Sequence, residues 1–268
     1  MVRVGLVGCG TIGTQLALAI ERGFRRTARL VALHDCNRAQ ALALQQRLVS
    51  SPPIVSFPTL LRTSHLVIEA ASADMAAQVV RAALRLRRSV FIMSVGGLLD
   101  DHTWQRLARR TGTKVYLPSG ALAGLDGVKA MAVGKLRRVS LTTRKPPRAL
   151  ATAPYVLNKR LSLEHLRHPT VIFEGSPRAV VKAFPQNTNV AAALSLASEA
   201  SQRRTRIRVV ADPTIRVNVH ELEVEGDCGR LQCRIESRPS RNPKTSEIAI
   251  RSAIATLKRI FDPVSIGT

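Results

Sequence analysis

The sequence predicts an α/β chain in two parts: a doubly wound parallel sheet, then a second α+β domain with a mostly antiparallel sheet. Three observations carry this expectation. The first apolar β-run, residues 2 to 7, ends in a glycine-rich turn that opens into a helical pattern. Short apolar runs then alternate with helical periodicity as far as Pro118, as β-α-β units do. Beyond Gly120 the β segments lengthen and become more polar, with few helical stretches between them. The expected division is 1–118 and 119–241, with a C-terminal helical segment, 242–268, packing back on the first part.

Taken in order, Val-Arg-Val-Gly-Leu-Val runs into Gly8-Cys9-Gly10-Thr11-Ile12-Gly13 and the helical stretch TQLALAIERG. Strand, G-x-G-x-x-G and helix in succession form the dinucleotide-binding fingerprint of a Rossmann-type fold. Gly8 suits the tight turn, Gly10 close approach of a pyrophosphate, and Gly13 helix packing. The amides at the helix start are free for phosphate, so Thr11 and Ile12 complete the cofactor loop. The next strand, 30 to 35, ends in Asp35, 22 positions after Gly13; a carboxylate about 20 residues on binds adenosine ribose hydroxyls and favours NAD. Arg38 follows closely and is suited to a 2′-phosphate, which leaves NAD or NADP open. The series continues with helices at 38–48, 73–86 and 104–110 and strands at 65–70, 89–94 and 114–117. Glu69 to Ser72 and Ser94 to Gly97 sit just past strand C-termini, where ligands bind such sheets.

In the second part, strands are expected at 136–143, 170–174, 206–211, 215–224 and 231–235. Helices are expected at 190–200, capped by Asn187 or Asn189, and from about 245 to 259. Alternation puts Asn218 and His220 on one strand face and Ile215, Val217 and Val219 on the other. Leu222 and Val224 share the His220 side, a pattern suited to a histidine at a cavity edge. Of the six histidines, His220 is the acid/base candidate, weighed against a plain structural role.

Composition narrows the function classes. With 268 residues, 45% of them hydrophobic, the chain can bury a real core, and no apolar run approaches the roughly 18 residues of a membrane span. The N-terminus lacks signal-peptide order, and four cysteines without zinc-ligand spacing are too few for a disulfide scaffold. A cytoplasmic protein with reduced thiols and no metal is expected. The balance of 41 basic against 18 acidic residues, net +23, raises a polyanion partner. The basic residues are scattered in doublets and aromatics are only 3%, so stacking platforms are scarce. Nucleic acid is therefore not the expected partner, and anionic small molecules are.

A set of motifs running nearly end to end resembles the L-aspartate dehydrogenases of the NAD-biosynthesis type. They are GCGTIG at 8–13, EAAS at 69–72, MSVGG at 93–97, PSGALAGLDG at 118–127, TTRKPP at 142–147, FPQNTNVAAALSLA at 184–197, ADP with NVHE through 221, and NPKTS at 242–246. The resemblance implies NAD(P)-linked oxidation of L-aspartate to iminoaspartate, with hydrolysis to oxaloacetate and ammonia or release toward quinolinate and NAD biosynthesis. It implies a second domain that binds substrate and forms a homodimer. It makes His220 the active-site residue and Ala121 and Asn189 nicotinamide-side contacts, with Ala123 a neighbour. Thr11 and Gly97 stand where that family more often has alanine, and the resemblance does not explain the charge.

A dicarboxylate substrate needs cationic or hydroxyl-bearing partners, for which Arg144, Lys145, Lys244, Thr245 and Ser246 are candidates. The plainer readings are an exposed strand end for Arg144 and Lys145, a helix-capping turn for NPKTS, and a turn at Asp212-Pro213. Two competing functions remain. A reductase or dehydrogenase of the homoserine dehydrogenase or dihydrodipicolinate reductase type would share the first part but not NVHE and TTRKPP. A non-catalytic polyanion binder on the same fold would draw on the charge.

Overall fold

Two compact units make up the chain: Met1–Pro118 with Ile250–Ser265, and Ser119–Ala249 with the last residues. The structure, a computed structural model, describes residues 1–185, 189–198, 204–240 and 246–267.

In the first unit, strands β1 (Val2–Val7), β2 (Ala28–His34), β3 (Leu66–Glu69), β4 (Ser89–Ile92) and β5 (Val115–Tyr116) form one sheet in the order β2-β1-β3-β4-β5. Every pairing in it is parallel. All four residues of β3 are buried, as expected for a strand covered on both faces. The covering helices are α1 (Thr11–Gly23), α2 (Arg38–Gln45), α3 (Phe57–Thr63), α4 (Ala73–Arg85) and α5 (Thr103–Thr111), with a 3₁₀ turn at Val95–Leu98. Helix α4 shows why they form. Ala76, Val79, Val80, Ala83 and Leu84 make a buried stripe at helical spacing, and the Ser72 side chain accepts a hydrogen bond from the Met75 amide. The sequence reading did not include α3, whose seven residues are too few to display a period. Its signals are the Ser56 cap and a proline in the first turn.

The second unit holds α6 (Leu125–Ala132), β6 (Leu136–Lys145), α7 (Pro147–Leu150), α8 (Pro154–Asn158), β7 (Thr170–Gly175), α9 (Pro177–Ala183), α10 (Asn189–Ala197), β8 (Thr205–Ala211), β9 (Asn218–Gly226) and β10 (Arg230–Ser237). The sheet runs β10-β9-β6-β8-β7. It is mostly antiparallel, with β6 and β8 paired in parallel. One face carries the core, where Leu141, Ile207, Val209, Leu222 and Val224 join Leu150, Val180, Phe184 and Leu194 from the helices. The expectation of few helices is overturned. Segments α7, α8 and α9 each begin on proline and run four to seven residues, too short for periodicity to reveal. The expected strand 215–224 starts only at Asn218. The Asp212 carboxylate accepts hydrogen bonds from the Thr214 amide and hydroxyl at 2.9 and 2.6 Å, which turns the chain and leaves Ile215 and Val217 outside the strand.

The last helix, α11 (Glu247–Phe261), starts in the second unit and from Ile250 belongs to the first. There Ala253, Leu257 and Phe261 enter the core around β1, and the Phe24 and Phe261 rings lie 5.3 Å apart.

Candidate active site

The glycine turn of the first unit is built by close backbone approaches. Gly8 has φ +94°, a region costly for other residues, and a Cβ there would lie 2.6 Å from the Ala70 carbonyl carbon. A Cβ on Gly13 would lie 1.9 Å from the Gly8 carbonyl oxygen, so this glycine closes the loop onto its helix. Gly10 differs, since a Cβ would find nothing nearer than Gln40 Oε1 at 3.7 Å. Open space, rather than packing, adjoins it. Gly10 N-caps α1 without any side-chain cap, and the first intrahelical acceptor is the Gly10 carbonyl, bonded by the Thr14 amide. The amides of Thr11, Ile12 and Gly13 have no acceptor among the described residues, and donors arrayed this way at a helix start fit a phosphate.

Asp35, at the end of β2, accepts from the Cys9 amide on Oδ2 at 2.7 Å and from the Asn37 amide on Oδ1 at 2.8 Å. These bonds fix the carboxylate beside the glycine turn, where a ribose partner belongs. Arg38 opens α2 and is exposed. Glu69, which sequence reasoning did not single out as a site residue, is fully buried at the end of β3. It accepts from Ala71 N, Ser94 N and Ser94 Oγ at 2.8 to 3.0 Å, tying the loops after β3 and β4 together. Burial raises its carboxyl pKa against the pull of those donors. Its signal in sequence is an acid at the end of an otherwise apolar run. In the neighbouring loop, a Cβ on Gly97 would lie 1.9 Å from the Ala73 carbonyl oxygen, so alanine at this position requires the backbone to move.

In the second unit a polar group occupies the end of the core face. Thr143 of β6 sits opposite His220 of β9, and Thr143 Oγ1 and His220 Nδ1 share a hydrogen across 3.1 Å. Lys145 and Asn218 lie two residues along the same face. All four are buried, His220 to 3% exposure. The alternation predicted from sequence places Asn218 and His220 together, on the face that Leu222 and Val224 continue into the core. Burial, with the Lys145 charge nearby, pushes the His220 pKa down to about 3, and burial lowers Lys145 to about 8. At neutral pH this is a neutral imidazole near an ammonium, an arrangement that can hold an anion; an anion paired with Lys145 would offset part of what depresses the imidazole and raise its basicity.

Not every candidate joins this group. Arg144 points to the opposite face of the sheet and pairs with Glu221 at 2.9 Å, because neighbouring residues of a strand alternate sides. Ser246 is buried and its Oγ accepts from the Ala249 amide at 3.4 Å, capping α11. Lys244, Thr245 and Asn187 lie outside the described residues. Asn189 opens α10, and a Cβ on Gly120 would lie 3.7 Å from Val190 Cγ1, so the turn holding Ala121 meets the start of that helix. Ala121 is buried and Ala123 half-buried. Among the described residues, no three metal-ligating side chains cluster.

Comparison with known proteins agrees with this division of labour. A family model described as "Aspartate dehydrogenase, C-terminal" matches residues 126–260, and one described as "Homoserine dehydrogenase, NAD binding domain" matches residues 8–118. The L-aspartate dehydrogenase of Methanosarcina barkeri is 45% identical over the whole of both chains. That of Bradyrhizobium diazoefficiens is 38% identical over 99% of this chain and 94% of its own. The crystal structure of aspartate dehydrogenase from Thermotoga maritima shares the fold over 100% of both chains, with TM-score 0.75 at 22% identity. A nicotinamide-nucleotide loop in the first unit and full-length similarity that extends through the second lead to one conclusion: the chain belongs to the L-aspartate dehydrogenase family.

Proposed function

We propose that the chain oxidises L-aspartate to iminoaspartate with a nicotinamide dinucleotide, and that His220 handles the proton. The observation that carries this reading is the buried His220 imidazole, held at Nδ1 by Thr143, with the Lys145 ammonium close enough to act on it. When bound, the cofactor supplies the hydride acceptor for the substrate α-carbon. Gly10 with the amides of Thr11, Ile12 and Gly13 would receive its pyrophosphate, and Asp35 its adenosine ribose, which makes NAD the expected partner over NADP. Ala121 and Asn189, with Ala123 beside them, are the nicotinamide-side contacts that the family resemblance implies.

Neutral His220 accepts a proton from the substrate amine as the imine forms, and Lys145 pairs with a substrate carboxylate. Where the imine stays bound, His220 returns its proton to the imine nitrogen and, neutral again, accepts one from attacking water, giving oxaloacetate and ammonia; released imine feeds quinolinate and pyridine nucleotide biosynthesis. A cytoplasmic setting accords with the four free cysteines, two of them exposed. No helix among the described residues is long and apolar enough to cross a membrane. A homodimer is the expected assembly.

Absorbance at 340 nm tests the reading, with NAD or NADP and L-aspartate, then with oxaloacetate and ammonia in reverse. Reduction of cofactor with L-aspartate but not with alanine, glutamate or homoserine is expected. His220→Ala is expected to lower kcat about 10²-fold or more while cofactor binding stays near normal. Unchanged turnover in that variant removes His220 from the mechanism.

A further inference from the structure

Asn218 is 1% exposed, and neither its Oδ1 nor its Nδ2 has a hydrogen-bond partner among the described residues. Buried side-chain amides are ordinarily paired, since leaving a donor and an acceptor unmet costs free energy at both atoms. Its neighbours do not answer it. Ser237, opposite it across β9 and β10, directs its hydroxyl to the Arg238 carbonyl and accepts from the Ile248 amide. Asn218 therefore presents one donor and one acceptor, side by side, on the face that carries His220 two residues further along the strand, about 6 to 7 Å away at strand rise.

A ligand that satisfies both ends of a carboxamide must bring a hydrogen-bond acceptor and a donor close together. An α-amino acid does so, with its carboxylate beside its amino group. We propose that Asn218 is the residue that recognises the amino-acid head group of the substrate: Nδ2 donates to the carboxylate and Oδ1 accepts from an amino N–H. The amine is thereby held toward His220. This inference rests on the oxidation of L-aspartate proposed above and adds a specificity-determining residue to it. Lys145, on the same face, supplies positive charge for a carboxylate but makes no distinction between an amino acid and a plain dicarboxylate. Asn218 does.

Asn218→Leu removes both polar ends at similar volume. The test is titration calorimetry on protein saturated with NADH, where no turnover occurs, using L-aspartate and succinate, which lacks the amine. The wild type is expected to prefer L-aspartate by about tenfold or more, the scale of one lost hydrogen bond to a charged group. The variant is expected to bind the two alike, with a thermal midpoint equal to or above that of the wild type, because an unmet buried amide gives way to an apolar group. A variant that keeps the preference overturns the proposal, and a lowered midpoint alongside that preference assigns the carboxamide to an enclosed water. Asn218→Ala gives the same readout if the leucine variant does not fold. Wild type that oxidises L-aspartate while the variant retains its preference refutes the role of Asn218 alone; wild type that binds neither ligand refutes both readings.

Discussion

Lys145 and His220 illustrate how burial sets chemistry at the scale of single residues. Both are bases whose charged forms are penalised by desolvation, so both pKa values move down, to about 8 and about 3. The consequences differ. His220 is neutral around pH 7 and a weak base there, and it gains proton affinity only as a bound carboxylate offsets the Lys145 charge that helps to depress it. Lys145 is charged at neutrality and loses its proton as pH rises through about 8. Carboxylate binding by Lys145 then requires kcat/KM for L-aspartate to fall about tenfold per pH unit above that value. Lys145→Met is expected to have a low kcat/KM that no longer shows this descent; a steady-state pH profile from 7 to 10 checks it. A wild-type profile that stays level through pH 9 would separate Lys145 from substrate binding.

Among the elements, the turn between β1 and α1 has the sharpest division of roles. Gly13 and Gly10 are both glycines of one motif, yet a Cβ collides with backbone at the first and enters open space at the second. Gly13→Ala must displace the Gly8 carbonyl, so it is expected to lower stability by about 1–3 kcal/mol, the usual penalty of overpacking, and to weaken NADH binding as well. Gly10→Ala should leave the thermal midpoint unchanged while filling the space through which a pyrophosphate approaches, raising the Kd for NADH. Calorimetry and NADH fluorescence on the pair decide the matter. Equal effects on stability and binding at both positions would contradict this division. The motif itself was legible in sequence because its glycines sit between a strand and a helix at set spacing. The buried Glu69 was not, since its donors come from Ala71 and from Ser94, a loop 25 positions away.

Over the whole molecule, the +23 charge is spread along the sequence, and a small part of it lies with acidic partners on the outer face of the second sheet. Arg206 and Arg208 of β8 and Glu221 and Glu223 of β9 flank Ser140 and Thr142 of β6, lining a groove of about 670 Å³. Columns of opposite charge, in part paired within the chain by Arg144, Glu174, Arg230 and Arg234, are the face that the homodimer proposed above would use. Wild type should sediment at twice the 29.2 kDa of the chain, and Arg206→Glu should shift it toward monomer with circular dichroism unchanged. A dimer indifferent to that reversal would move the interface elsewhere.

The sequence by itself determined the five strands of the first unit and its helices apart from α3 and the 3₁₀ turn, the glycine-rich turn followed by Asp35 at the end of the next strand, and the placing of Asn218 and His220 on one face of a strand. These are local properties, carried by period, spacing and glycine punctuation. Only the tertiary structure decided that the Lys145 face of β6, and not the Arg144 face, is the buried one, and supplied Thr143 as the partner of His220, 77 positions away. It alone left the Asn218 carboxamide buried and unanswered. Register between strands distant in sequence sets which side chains meet, and burial sets which protons they hold; neither is written in the spacing of one strand.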